Sequence, residues 1–125
     1  MIQASELRIG NWAINYGKHV CIEADDIVDC HHQPYSYEPI QLTPEILEKA
    51  GFTERNNEES KFSGVELDVF YTPRGPFSFG IALYINCFWF KHQDDFLGVE
   101  LKNVHQLQNL YFAITGEELQ INLQP

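Results

Sequence analysis

Val104–Leu119, VHQLQNLYFAITGEEL, is the most regular stretch of the 125-residue chain, and its reading decides the fold. Val104, Leu107, Tyr111 and Ile114 recur at steps of three and four, with Leu110 beside them, which places them on one face of a helix. Asn103 stands at the N-cap and Gln106 three residues on, the spacing of a capping box. Gly116 supplies the residue that can turn left-handed and end the helix. Gln106, Gln108, Asn109 and Thr115 fall outside the stripe. Past the helix, Leu119, Ile121 and Leu123 alternate with Gln120, Asn122 and Gln124, which predicts a short terminal strand. Pro125 could not donate to a ladder there.

A helix with one apolar face has to be covered, so a sheet is expected before it. Val65, Leu67, Val69 and Tyr71 alternate with Glu66, Asp68 and Phe70, and Thr72–Pro76 is a turn. Phe77–Ile85, Cys87–Lys91 and Phe96–Leu101 continue the pattern. The expectation is a four-stranded antiparallel meander with one face covered by the C-terminal helix. The run FSFGIALYINCFWF, 77–90, carries aromatics on both registers. Burial on both faces explains that, and so does an exposed strip that meets a partner.

Toward the N-terminus the same alternation appears in shorter pieces. Trp12, Ile14 and Tyr16 alternate, Gly17-Lys18 reads as a turn, and His19–Ala24 returns, a β-hairpin. Asp26–His31 is expected as a third strand, giving a small curled antiparallel, SH3-like sheet. His32–Glu38 reads as loop, with Pro34 and Pro39 favouring extended or turn backbone. LTPEILEKAGF, 42–52, is a short bracket helix: Thr43 caps, Pro44 takes the first helical position, and Gly51 ends it. Leu42 and Phe52 are placed to close on Leu47. Thr53–Ser60 is polar and reads as an exposed loop. The whole is an α+β chain, one domain over 1–125, with an N-terminal β subregion 1–40, a helix at 43–51, and the meander and C-terminal helix over 62–123.

Composition sets outer limits. Hydrophobic residues make up 44% and aromatics 14%, enough for a core and too much for a disordered chain. The formal net charge of -10 disfavours direct binding to a phosphate backbone. The acid is dispersed in short clusters at Asp25-Asp26, Glu58-Glu59, Asp94-Asp95 and Glu117-Glu118. Solubility follows from it, and the alternative is an acidic face that imitates nucleic acid. No apolar run approaches the roughly 20 residues of a membrane helix. MIQASELRIGNW has no basic segment followed by an apolar one, so a cytoplasmic protein without a membrane partner is expected. Three cysteines make an odd count, which argues against a disulfide framework, and Cys21 and Cys87 are expected as small buried residues.

Three groups of residues have the composition of sites. Cys30, His31 and His32 are zinc-binding types, but their spacing departs from the paired Cys-x2-4-Cys pattern, and adjacent histidines on a strand point to opposite faces. His92, Asp94 and Asp95 set an imidazole beside two carboxylates, which serve acid–base work or a magnesium-dependent hydrolase or nuclease. The same set is what a solvated hairpin loop looks like. Tyr35 and Tyr37, with Phe88, Trp89 and Phe90, are candidates for contact with a protein partner, since aromatic rings offer area at low entropic cost. No GxGxxG, P-loop or GxSxG sequence occurs, and no cofactor is implied.

His105–Leu119, HQLQNLYFAITGEEL, resembles the C-terminal signature of a family of small proteins from gut bacteria, their phages and mobile elements. The family also opens on an ELRIGNW-like segment, here Glu6–Trp12, and has a PIxLTPEILEKxGF-like middle, here Pro39–Phe52. The resemblance implies an association with a phage or mobile element and assigns no catalytic residue. Together these readings favour a non-enzymatic accessory protein that acts by protein–protein interaction. The alternatives are a small metal-dependent hydrolase or nuclease using His92, Asp94 and Asp95, and an acidic nucleic-acid mimic.

Overall fold

The computed structural model describes residues 2–55, 61–62, 65–66, 68–71, 79–84, 87–92 and 95–123, and between 53 and 99 it describes side chains at Ile81 and Phe88. The architecture is α+β. Contacts divide the chain into two compact units, one of 1–41 with 103–125 and one of 42–102.

The first unit is built on a three-stranded antiparallel sheet in the order β2-β1-β3, with β1 at Trp12–Asn15, β2 at Lys18–Cys21 and β3 at Tyr37–Glu38. The β1–β2 hairpin pairs Asn15 with Lys18 and Ala13 with Val20. Its loop is therefore Tyr16-Gly17, one residue earlier than expected, and both residues have positive φ, +49° and +76°. That is the pattern of a type I′ turn, whose twist matches the flanking strands.

The expected third strand at Asp26–His31 is instead a helix, α1, over Ala24–His32. The adjacent β-branched pair Ile27-Val28 suggested a strand, but the ends favour a helix. Glu23 N donates to Asp26 Oδ2 at 2.9 Å, acid fills the first turn, and His31 and His32 fill the last. Helical spacing puts Ile27 and Cys30 against the core and leaves Val28 exposed. The third strand is supplied by β3, which follows a 3-10 turn at Pro34–Ser36 and pairs Tyr37 with Asn15.

The core on this face of the sheet joins Ile2, Leu7, Ala13, Ile22, Cys30 and Tyr37, with Ala4, Val20 and Ile27 at its margin. Trp12, Ile14, His19 and Cys21 alternate onto the other face. There the C-terminal segment lies across the sheet. The Trp12 indole Nε1 donates to Ile121 O at 3.0 Å, and His19 Nδ1 is 3.2 Å from Leu123 O. Leu119 and Leu123 are buried, so the predicted alternation holds, but among the described residues 119–123 no ladder forms and the predicted terminal strand is absent. Side chains of the sheet have taken the carbonyls that a neighbouring strand would have used.

The C-terminal helix, α3, runs over Val104–Thr115. Asn103 N donates to Gln106 Oε1 at 3.1 Å, the expected capping contact, and Gly116 N closes the helix on Phe112 O at 2.8 Å. Val104, Leu107 and Tyr111 are buried as the periodicity requires. Gln108, expected outside the stripe, is buried as well, at 1% exposure.

The second unit begins with α2, Pro44–Lys49. Thr43 Oγ1 accepts from Ile46 N at 3.2 Å, and Pro44 opens the helix. Gly51 N donates to Glu48 O and Phe52 N to Leu47 O, both at 3.0 Å, which is the Schellman ending expected from the sequence. Gly51 has φ +91°, a backbone state that an L side chain rarely adopts. Leu42, Leu47, Ala50 and Phe52 are buried. A helix this short would not persist alone, so burial of these side chains holds it.

After α2 come β4 at Thr53–Arg55, β5 at Lys61–Phe62, β6 at Val65–Glu66, β7 at Asp68–Tyr71, β8 at Phe79–Tyr84, β9 at Cys87–His92 and β10 at Asp95–Leu101. β5 and β6 form a two-stranded ribbon. β4 and β7 to β10 form an antiparallel sheet in the order β10-β9-β8-β7-β4, in which β7 to β10 are the expected meander, except that Val65–Glu66 of its expected first strand pairs with β5 instead. Thr53–Arg55, expected as loop, adds the fifth strand by pairing with Val69–Tyr71. A polar three-residue edge strand leaves almost no apolar alternation to read.

Candidate functional site

The segments Glu6–Trp12 and Val104–Glu118 meet, and they meet through side-chain amides. The Gln108 carboxamide spans the start of β1: Oε1 accepts from Trp12 N at 2.8 Å, and Nε2 donates to Gly10 O at 2.9 Å. β3 is too short to pair this part of β1, so the amide stands where the next strand's peptide group would be. Asn109 does the same one residue on. Its Nδ2 donates to Glu6 O at 2.9 Å, and its Oδ1 accepts from Asn11 Nδ2 at 2.9 Å and from Arg8 Nη1 at 2.6 Å. Arg8 also pairs with Glu118, and its guanidinium lies 4.3 Å from the centre of the Phe112 ring. These residues are committed to holding the first unit together. They form a clasp and offer no open chemistry.

The zinc-type cluster is dispersed by α1. Cys30 is buried and its thiol donates to Ile2 O at 3.3 Å, whereas His31 and His32 are exposed, with ring centroids 5.4 Å apart in an edge-on arrangement. Among the described residues no three of His, Cys, Asp and Glu are gathered as a metal site. Cys21, expected buried, is exposed, because β2 is the edge of its sheet. Its thiol pKa is nonetheless raised, first by partial burial and then by the charges of Glu23 and Asp26.

His92 ends β9 and Asp95 opens β10, and the register sets them opposite each other. Asp94 and the side chains of both partners lie outside the described residues, as do the side chains of Trp89 and Phe90. Phe88 is buried at 6% exposure.

The two tyrosines of the 34–39 segment part company. Tyr37 is fully buried, and its hydroxyl reaches Asp26 Oδ1 at 2.9 Å and Asp29 Oδ2 at 3.1 Å. It is a core residue and offers no surface to a partner. Tyr35 is 84% exposed. Beside its segment stands a second ring, Tyr16 of the β1–β2 hairpin. Tyr16 N donates to Ser36 O at 3.4 Å, the Tyr16 hydroxyl reaches Gln33 Oε1 at 3.3 Å, and its ring is 73% exposed. Gln33 is the C-cap of α1, directly after His31 and His32. One end of the first unit therefore presents Tyr16, Tyr35 and the two histidines to solvent. A bulky residue at positive φ is uncommon, and strained positions cluster at functional surfaces. The dipeptide Tyr16-Gly17 was the signal in the sequence, since a I′ turn read at that position places the aromatic ring at the tip.

No family model matches the chain, and neither the curated proteins nor the solved structures contain a match. No helix among the described residues is long and apolar enough to cross a membrane.

Proposed function

We propose that the chain is a non-enzymatic binding protein whose contact surface is the Tyr16–Tyr35 end of the first unit. The observation that carries this reading is Tyr16, an exposed ring held at φ +49° in the tip of a hairpin and placed beside the exposed Tyr35 segment. Tyrosine supplies large contact area while fixing few torsions, so such a surface suits a protein partner. The resemblance of Glu6–Trp12, Pro39–Phe52 and His105–Leu119 to proteins of phages and mobile elements supports an accessory role in such an element, acting in the cytoplasm. The negative charge of the chain supports a partner other than bare nucleic acid.

The test is affinity capture from bacterial lysate treated with nuclease, with wild-type protein beside Tyr35→Ala and Tyr16→Asn. A partner retained at a fixed ratio by wild type and lost by both variants is the expected result. Equal retention by all three proteins overturns the assignment of this surface.

One observation favours a second reading. The register that sets His92 opposite Asp95 is compatible with the hydrolase or nuclease alternative at that end of the second sheet. Metal-dependent cleavage of a phosphoester panel, abolished in His92→Ala, is its test.

A further inference from the structure

His105 lies in the first turn of α3, is 1% exposed, and has no hydrogen-bond partner for either ring nitrogen among the described residues. A buried polar group without a partner is costly, and its persistence asks for a role. Glu6 Oε1 stands 3.8 Å from Nε2, beyond hydrogen-bond distance but within reach of an ion pair once the ring is protonated. Glu6 sits at the joint of the N-terminal segment. Its Oε2 accepts from Gln3 N at 2.7 Å, its carbonyl accepts from Asn109, and its carboxylate is 44% exposed. Burial lowers the pKa of His105, and the charge of Glu6 and the polar contact of its side chain with the ring oppose that effect without overcoming it. Glu6 is the one titratable group among the described residues whose charge acts on the ring. Arg8, the next charged side chain of that segment, is engaged by Asn109, Glu118 and Phe112.

We infer that His105 and Glu6 form an acid-sensitive latch, in which the neutral imidazole lets the N-terminal segment seat on α3 and its protonation releases that segment. In the seated arrangement an imidazolium is shut away from water and has only the Glu6 carboxylate, at 3.8 Å, to answer its charge. Lifting the N-terminal segment admits water to the ring. The direction follows from linkage. The neutral ring contributes its full stability above the ordinary histidine value of about 6.5, and that contribution is lost as pH falls through the lowered value of the folded state.

The experiment follows the His105 ring by NMR from about pH 8 to about pH 4 together with amide exchange over 3–11. The expected result is a ring that titrates below the ordinary histidine range. Opening of the 3–11 amides, corrected for intrinsic rate, should rise up to about tenfold per pH unit in the same interval, while Ala13 and Val20 keep their protection. Glu6→Gln should move the ring titration further down. His105→Phe should abolish the acid-dependent opening. A ring that titrates at the ordinary value, or the same acid-dependent opening in His105→Phe, overturns the latch. Should His105→Phe fail to fold, the wild-type titration and Glu6→Gln decide it.

Discussion

The side chain of Gln108 and the backbone of Trp12 are joined as two strands would be. The Gln108 carboxamide accepts from Trp12 N at 2.8 Å and returns a donor to Gly10 O at 2.9 Å. With Gln108 at 1% exposure, no water replaces it without opening the unit. Removing it leaves two backbone groups unpaired, and each unpaired buried group costs about 1–3 kcal/mol. Gln108→Leu, which keeps the volume, should therefore destabilise the first unit by about 2–4 kcal/mol. Gln108→Glu keeps the acceptor for Trp12 and loses the donor to Gly10, so its cost should be smaller at low pH, where the acid carries a proton. Urea unfolding of the three proteins at two pH values measures both effects.

Tyr37 gives the alkaline limb of stability. Its pKa is raised, first by burial and then by its hydrogen bonds to Asp26 and Asp29, whose charges add to the effect. The folded state therefore holds the phenolic proton more tightly than the unfolded chain does. The stabilisation is full below the unfolded value of about 10 and is lost as pH rises above it. Tyr37→Phe should cost about 1 kcal/mol near neutrality through the lost hydrogen bonds. It should also flatten the decline above about pH 10 that wild type shows. Parallel melting curves of the two proteins across that range give the comparison.

How far these features could be read from the sequence depended on how local their causes are. α2 and α3 announce themselves through neighbours: Thr43-Pro44, Gly51, Asn103 with Gln106, and Gly116 each act within one turn. α1 carried equally local signals in Glu23, Asp26, His31 and His32, but Ile27-Val28 argued for a strand, and propensity lost to capping and to the burial of Ile27 and Cys30. The role of Gln108 was not legible, because a buried amide and a solvated one are the same letter until Trp12, 96 residues away, is in place. The proposed contact surface was half legible. Tyr35 and Tyr37 are two residues apart in one polar segment, and pairing of Tyr37 with Asn15 turns one ring inward. Tyr16 was hidden by a one-residue shift of the turn, which in a hairpin changes which residue stands at the tip.

The cysteines offer a chemical check on the N-terminal sheet. Cys21 is exposed on the edge strand, whereas Cys30 is fully buried and bonded to Ile2 O. In a Cys87→Ser background, an aromatic disulfide reagent should modify one thiol in the native protein, and peptide mapping should place it at Cys21. The reaction should be slow at neutral pH and accelerate in alkali, because burial and the charges of Glu23 and Asp26 hold that thiol protonated. Cys30 should react only when the unit unfolds. Modification of both at equal rates would show that α1 does not cover the sheet as described.

On the proposed binding surface, Tyr16 would set stability against recognition at one position. A I′ turn favours Asn-Gly, and a bulky ring at φ +49° costs on the order of 1 kcal/mol relative to asparagine or glycine there. Tyr16→Asn should thus raise the unfolding free energy by about 0.5–1 kcal/mol, even though it removes the contact of the hydroxyl with Gln33. A surface free of any binding role would gain by that change at no cost. A surface used in binding would keep the strain for the sake of the ring. Tyr16→Asn is therefore expected to be more stable than wild type and weaker in partner capture, and Tyr16→Phe, which keeps the ring, should retain the partner. A variant that gains stability and binds as before would separate the strain at Tyr16 from recognition and leave Tyr35 to carry the contact.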